Sequence, residues 1–238
     1  VTPAVVEFAG VSKTYGGLRP LRIADLRVAA GDRVAILGLD QVAAEVFINL
    51  ATGATLPDAG EIRLFGRATS AITDSTDWLA TVDRFGIVSD RAVLLEQLTV
   101  VQNLAMPFTL DIEPPPDRER ARAEALAREV GLPEPSWSAR LTELDALAAT
   151  RVRLGRAIAL DPAVLLLEHA TARVPPEAVD ALAAEIRGVA ERRGVALIAA
   201  TADERFAQAV ASRVLTLEPA TGRLKQRRRS WFAGRLGS

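Results

Sequence analysis

Eight residues, Gly38-Leu39-Asp40-Gln41-Val42-Ala43-Ala44-Glu45, stand between a short buried run and a helical pattern. The run is Arg33–Leu37, and the pattern is set by Val46, Phe47 and Leu50. Strand, tight turn at a glycine, then helix is the frame of a phosphate-binding loop. In such a loop, backbone N–H groups and a helix N-terminus face the phosphates. A lysine reaches the terminal ones, and a Ser or Thr hydroxyl meets Mg²⁺. The pattern this chemistry needs is G-x-x-x-x-G-K-[ST]. Here its second glycine, its lysine and its hydroxyl fall on Ala43, Ala44 and Glu45. The frame is kept and the chemical groups are replaced. We expect Leu39–Val42 to form the turn and the helix to run from Ala43.

A second candidate pair is Glu168-His169, at the end of the apolar run Ala163–Leu167. His169 is the only histidine. An imidazole there could act as a general base, but the expected role is to cap the end of a buried strand. Glu45 and Glu168 could hold a cation or an arginine. The reading adopted is two solvated carboxylates, on one rim with Asp40. Repulsion between such carboxylates and a triphosphate is on the order of several kcal/mol at an effective dielectric near 20. A magnesium ion on Glu45 and Glu168, both hard oxygen ligands, would offset part of it.

These residues need elements to position them. Val5–Phe8 and Leu21–Val28 alternate like strands around a Tyr15-Gly-Gly turn. Glu61–Phe65 reads as a third strand. Ile87–Val88, Ala163–Leu167 and Val195–Ala200 read as short buried strands. Helices are expected over Leu94–Met106, Arg118–Val130, Thr142–Leu160, Pro176–Arg193 and Glu204–Ala211. In the second of these, Ala121, Ala125 and Leu126 should share the buried face. Arg213–Leu217 with Leu224 suggests a closing hairpin. Buried strands alternating with helices imply an α/β fold with a parallel sheet core. The early strands would form a separate antiparallel sheet.

Composition excludes several classes. The chain has no cysteine, so disulfides and thiolate metal sites are ruled out. Its net charge is −1, so the body has no basic surplus for nucleic acid, and none is expected as a partner. The apolar runs are strand-sized, too short to span a membrane, and no signal segment is expected. Lys225-Gln-Arg-Arg-Arg-Ser-Trp-Phe-Ala-Gly-Arg235 carries five positive charges and no acid. Residues 225–238 are read as a basic tail, either disordered or suited to a membrane surface.

The order and spacing from Val5 to Leu224 resemble the nucleotide-binding domain of ABC transporters. VSKTYGG at Val11–Gly17 is similar to the family's adenine-stacking segment, which makes Tyr15 the stacking candidate. LPDAGEIRLFGR at Leu56–Arg67 resembles the turn and strand after the phosphate loop. LLEQLTVVQNLAMP at Leu94–Pro107 resembles the entry to the helical subdomain that docks on membrane subunits. RVRLGRAIALDPAVLLLEHAT at Arg151–Thr171 resembles the signature helix running into the Walker B strand. The resemblance implies a P-loop NTPase-like parallel sheet core with an antiparallel β subdomain and an α-helical subdomain. The domain would cover residues 1–224, with the helical subdomain at about 90–150.

Against that pattern the vestigial nucleotide-binding positions are Tyr15, Gly38, Leu39, Asp40, Gln41, Val42, Ala43, Ala44, Glu45, Val46 and Asp90. Asp90 holds the place of the Q-loop glutamine. The LSGGQ signature falls on Leu144, Asp145, Ala146, Leu147 and Ala148. The Walker B aspartate and the catalytic glutamate fall on Glu168 and His169, and the switch histidine falls on Ala202. Only Tyr15, Gly38 and Thr171 keep the family's residue type.

The resemblance therefore implies an ATP-binding-cassette subunit with weak ATP and Mg²⁺ binding and a structural or regulatory role. Its partner would be an ABC permease or an intact ABC ATPase subunit, as a homo- or heterodimer. It would be cytoplasmic and peripheral at the inner face of the cell membrane. Two alternatives are an active ATPase working through Glu168, His169 and Mg²⁺, and a stand-alone interaction module at the membrane surface.

Overall fold

The computed structural model describes residues 3–226. Its strands are β1 (Ala4–Lys13), β2 (Leu21–Ala29), β3 (Arg33–Leu37), β4 (Ala59–Leu64), β5 (Arg67–Ala68), β6 (Phe85–Val88), β7 (Val164–Glu168), β8 (Ala196–Ala200), β9 (Arg213–Glu218) and β10 (Arg223–Gln226). Its α-helices are α1 (Gln41–Ala51), α2 (Ser75–Val82), α3 (Val100–Ala105), α4 (Asp117–Glu129), α5 (Ala146–Ile158), α6 (Val179–Arg193) and α7 (Glu204–Val210).

Two sheets form. The smaller is antiparallel, in the order β2-β1-β4-β5. The larger has the order β10-β9-β3-β8-β7-β6 and is parallel except for the closing β9–β10 hairpin. The period-2 alternation of strands divides the apolar runs between two faces. Val34 and Ile36 of β3, Val164 and Leu166 of β7, and Ala196 and Ile198 of β8 pack on the side of α1 and the antiparallel sheet. Ala35, Leu165, Leu167 and Leu197 pack on the opposite side, against the α3–α7 layer. Both faces are covered, which is why these strands are apolar throughout.

On the first face Phe8 of β1 stacks on Phe47 of α1 at 5.4 Å, tying the antiparallel sheet to that helix. Burying each such ring contributes about 2 kcal/mol. On the second face Leu104 of α3 meets Gly155 of α5. A β-carbon on Gly155 would lie 2.6 Å from the Leu104 side chain, so the glycine permits the close crossing.

Several expected elements shift. Helix α1 begins at Gln41, because the Asp40 side chain caps it, so Leu39–Val42 is not wholly a turn. The helix expected over Leu94–Met106 is only α3, because a capping box between Thr99 and Gln102 starts it at Val100. Leu94–Leu98 is irregular backbone held by Asn103, which accepts from Leu95 N and donates to Leu95 O. The buried face of α4 is Ala123, Leu126 and Ala127, whereas Ala121 and Ala125 are exposed. In Thr142–Leu160 the helix proper starts at Ala146, capped by Asp145. Helix α2 and strand β5 have no counterpart among the expected elements. Lys225 and Gln226 belong to β10, paired with Thr216 and Leu215. The rest of the basic run lies outside the described residues.

Candidate functional site

The site sits at the carboxyl ends of β3, β7 and β8, where open parallel sheets present their ligand sites. Gly38 ends β3 with φ +93°, in the left-handed region, and its missing side chain faces Leu217 O, which a β-carbon would approach to 3.0 Å. Glycine is needed there. Leu39 is buried and Asp40 is exposed.

The Asp40 carboxylate accepts from Ala43 N at 2.8 Å. It thereby takes one of the free N–H groups at the head of α1 and places a negative charge where a helix N-terminus would receive an anion. Ala43 and Ala44 are buried, and Val42 is exposed. Glu45 and Val46 are half-buried in the second turn. The head of α5 repeats the arrangement: Asp145 accepts from Ala148 N at 2.7 Å. Leu144 precedes it, and Ala146 and Leu147 begin the helix.

The reading of Glu45 and Glu168 as two solvated carboxylates is overturned. The Glu168 side chain is fully buried, and the Arg91 guanidinium is bound to it. Arg91 Nη2 donates to Glu168 Oε2 at 2.7 Å, and Nε lies 3.1 and 3.2 Å from the two oxygens. Gln41 Nε2 adds a bond to Glu168 Oε1 at 3.3 Å. The same guanidinium donates through Nη1 to Glu45 at 3.0 Å. A buried carboxylate requires such a partner, and a forked guanidinium satisfies both of its oxygens. Bonding to Glu168 raises the Arg91 pKa further above its already high ordinary value. Glu168 therefore does not share an open rim with Asp40.

Asp90, one residue earlier, points elsewhere. It pairs with Arg153 of α5 at 3.3 Å and with Arg173, in the turn after β7, at 3.2 Å. His169 follows β7 with φ +43°. Its N–H donates to Ala200 O, and its Nε2 is buried without a hydrogen-bond partner. A general base must reach the proton it removes; here the bond at the strand end is made by the backbone N–H and not by the ring. Thr171 donates to Asp203, which also caps α7, and Ala202 is exposed beside them.

Tyr15 borders a cavity of about 710 Å³ with Leu18, Arg19, Gly38, Asp40 and Leu217. Its ring lies against Gly17, 2.7 Å from where a β-carbon would stand. Partial burial, and then the Asp40 charge, raise the Tyr15 pKa. Lys13 and Thr14 N, both bound to Asp58, anchor the turn that carries it.

Sequence reasoning took Arg91 for an exposed position beside the docking surface, whereas it is bonded to buried Glu168, and it did not name Arg153 or Arg173. The available signal was the charge of Arg91 beside a position already singled out. Among the described residues, no cluster of three or more His, Cys, Asp or Glu side chains is arranged for a metal ion.

With this geometry in hand, comparison with known proteins is direct. The ABC transporter family model matches residues 21–172, well over half of the chain. The chain belongs to the ABC transporter family. The lipoprotein-releasing system ATP-binding protein LolD of Maricaulis maris is 30% identical over 216 residues, covering 89% of this chain and 93% of LolD. The sulfate/thiosulfate import ATP-binding protein CysA 2 of Chromobacterium violaceum is 32% identical over 218 residues, 90% of this chain. The chain spans 56% of that protein's length. Among solved structures, the dimeric ATP-binding cassette MJ0796 bound to ADP and Pi superposes with a TM-score of 0.75 at 20% identity, over 95% of this chain and all of that one. The ABC ATPase architecture is thus shared nearly end to end.

Proposed function

We propose that this ABC cassette is a subunit of a transporter-type complex whose nucleotide site has lost turnover. Its role is structural or regulatory, beside an intact ABC ATPase subunit or directly on a permease. The observation that carries this reading is Arg91. Its guanidinium lies between Glu45 and Glu168, the two positions where the family's pattern would place a hydroxyl and an aspartate around Mg²⁺. A divalent ion there would have to displace a bonded cation.

Three further features support it. Ala44 supplies no charge toward a phosphate. Asp40 and Asp145 close the heads of α1 and α5, the two helix N-termini that phosphates would approach. The His169 Nε2 is buried and has no hydrogen-bond partner. Phosphoryl transfer rests on charge neutralisation and positioning, and these residues do not fit a magnesium nucleotide. ATP binding is therefore weak or absent, and Tyr15, Gly38–Val46 and Asp90 form a vestigial site.

The docking function rests on a different part of the domain, the helical subdomain at about 90–150. A groove of about 380 Å³ runs between β6 and α5, lined by Ile87, Ala92, Leu94, Met106, Ala157 and Leu160. Such a groove suits an apolar helix of a partner. Among the described residues no helix is long and apolar enough to cross a membrane. The proposed partner would hold the subunit at the inner face of the cell membrane. The basic run beyond Gln226 adds attraction to anionic lipid, about 1 kcal/mol for each Arg near the surface. The test is co-purification with a permease or an intact ATPase, together with phosphate release by the isolated chain. Capture of such a partner, with release no faster than a buffer blank, supports the reading. Release that rises with protein concentration and disappears in His169→Ala overturns it.

A further inference from the structure

Asp90 and Arg91 lie in segment 89–97, between β6 and α3, where the backbone is irregular. The two side chains diverge, and between them they reach four places. Arg91 ties the segment to the end of β7 through Glu168 and to α1 through Glu45. Asp90 ties it to α5 through Arg153 and to the turn after β7 through Arg173. The next residues form a wall of the groove: Ala92 and Leu94 line it, and Arg156 of α5 donates to Val93 O at 2.6 Å. Val93 itself is 72% exposed.

We propose that the Asp90–Arg91 pair is an electrostatic staple, which holds segment 89–97 and the groove wall it forms in one arrangement with no bound cation or nucleotide. This rests on the reading that Arg91 stands in the place of a metal. The energetics favour the staple over a chance surface contact. Glu168 is fully buried, so withdrawing Arg91 would leave its carboxylate without a charge partner, held only by the Gln41 amide. Arg153 is nearly buried, so its bond to Asp90 is screened little by salt. The Arg91–Glu45 bond is exposed and contributes least. The groove is therefore pre-shaped by charge pairs within the chain.

Hydrogen exchange on the full chain reads this directly. The reporter amides are Arg91 N, bound to Ser89 Oγ; Ala92 N, bound to Ser89 O; and Leu95 N, bound to Asn103. In the unaltered protein these amides should exchange at the same rate with and without Mg²⁺ and ATP. Arg91→Gln and Asp90→Asn should each speed their exchange by about tenfold or more, while the amides of β3 and β8 stay unchanged. Glu45→Gln should change the rate by less than about twofold. Wild-type rates in Asp90→Asn and Arg91→Gln would overturn the staple. If Arg91→Gln does not fold, Asp90→Asn decides alone, since Asp90 is partly exposed and its loss leaves Glu168 paired. Slowing of the wild-type reporters by Mg²⁺ and ATP would instead count against the closed nucleotide site, whatever the variants do.

Discussion

The carboxyl end of β3 and the groove beside β6 lie in the same domain, yet they are finished in opposite ways. At the first, the carboxylates of Asp40, Glu45 and Glu168 are answered from within the chain. Asp40 caps α1, and Glu168 and Glu45 share Arg91. At the second, surface is left open. Leu160 is 54% exposed and Val93 is 72% exposed. Internal closure removes the need for a ligand; open apolar surface asks for one. On the function proposed above, this cassette keeps its dealings with a partner protein and has given up those with a nucleotide.

Reopening the closed region should have the largest effect. Ala43→Gly, Ala44→Lys and Glu45→Ser restore the loop's residue types but leave Asp40 on the helix head and Arg91 on Glu168. That triple variant should show no saturable heat with ATP. Adding Asp40→Gly and Arg91→Gln should bring measurable binding by calorimetry, still without hydrolysis. Tight binding by the triple variant alone would show that the Asp40 cap and Arg91 do not block the site.

Next in size is the buried pair itself. Removing one partner of a buried ion pair costs about 3–5 kcal/mol. Arg91 is 40% exposed, so water can reach Glu168 after Arg91→Ala, and Gln41 remains. The expected loss in urea unfolding is about 2–3 kcal/mol, much of it recovered in Arg91→Met with Glu168→Leu. A loss under about 0.5 kcal/mol would mean that the pair is not a structural fixture.

The open region should respond in the reverse sense. Leu160→Glu should abolish capture of the partner while changing stability by less than about 0.5 kcal/mol, because the side chain already faces water. Undiminished capture would remove the groove from the docking account. Arg91→Glu is unsuitable as a surface probe of this groove, since it would set a second acid against buried Glu168.

The smallest effect lies outside both regions. Lys13 and Thr14 N hold the Asp58 carboxyl down to about 2. Its folded pKa is below the unfolded one, so its stabilisation is complete above the ordinary aspartate range and fades as pH falls through about 2. Asp58→Asn should lower stability slightly throughout the neutral region and flatten the acid limb of a stability–pH curve, leaving the strongly acid end unchanged. An unaltered acid limb would show that this bond does not survive in solution.

The fold was legible where one residue pattern has one physical solution. The runs of β3, β7 and β8 could only be strands buried on both faces, and Gly38 could only be a turn. Helix starts were less legible, because they turn on single side chains. Asp40 moves the start of α1 two residues earlier, and Thr99 with Gln102 cuts a thirteen-residue apolar pattern to the six residues of α3. That Ala43, Ala44 and Glu45 stand where the loop's glycine, lysine and hydroxyl would be could be read from residue types alone. Which arginine Glu45 and Glu168 share could not. Arg91 and Glu168 are 77 residues apart in the chain, and no local spacing signals a long-range ion pair.

Internal closure of the nucleotide site is tested most directly by calorimetric titration of the unaltered full chain with ATP, with and without Mg²⁺. Closure by Asp40 and Arg91 predicts no saturable heat in either titration. A saturable heat that strengthens when Mg²⁺ is added would contradict it, because the ion would then have displaced Arg91 from Glu168.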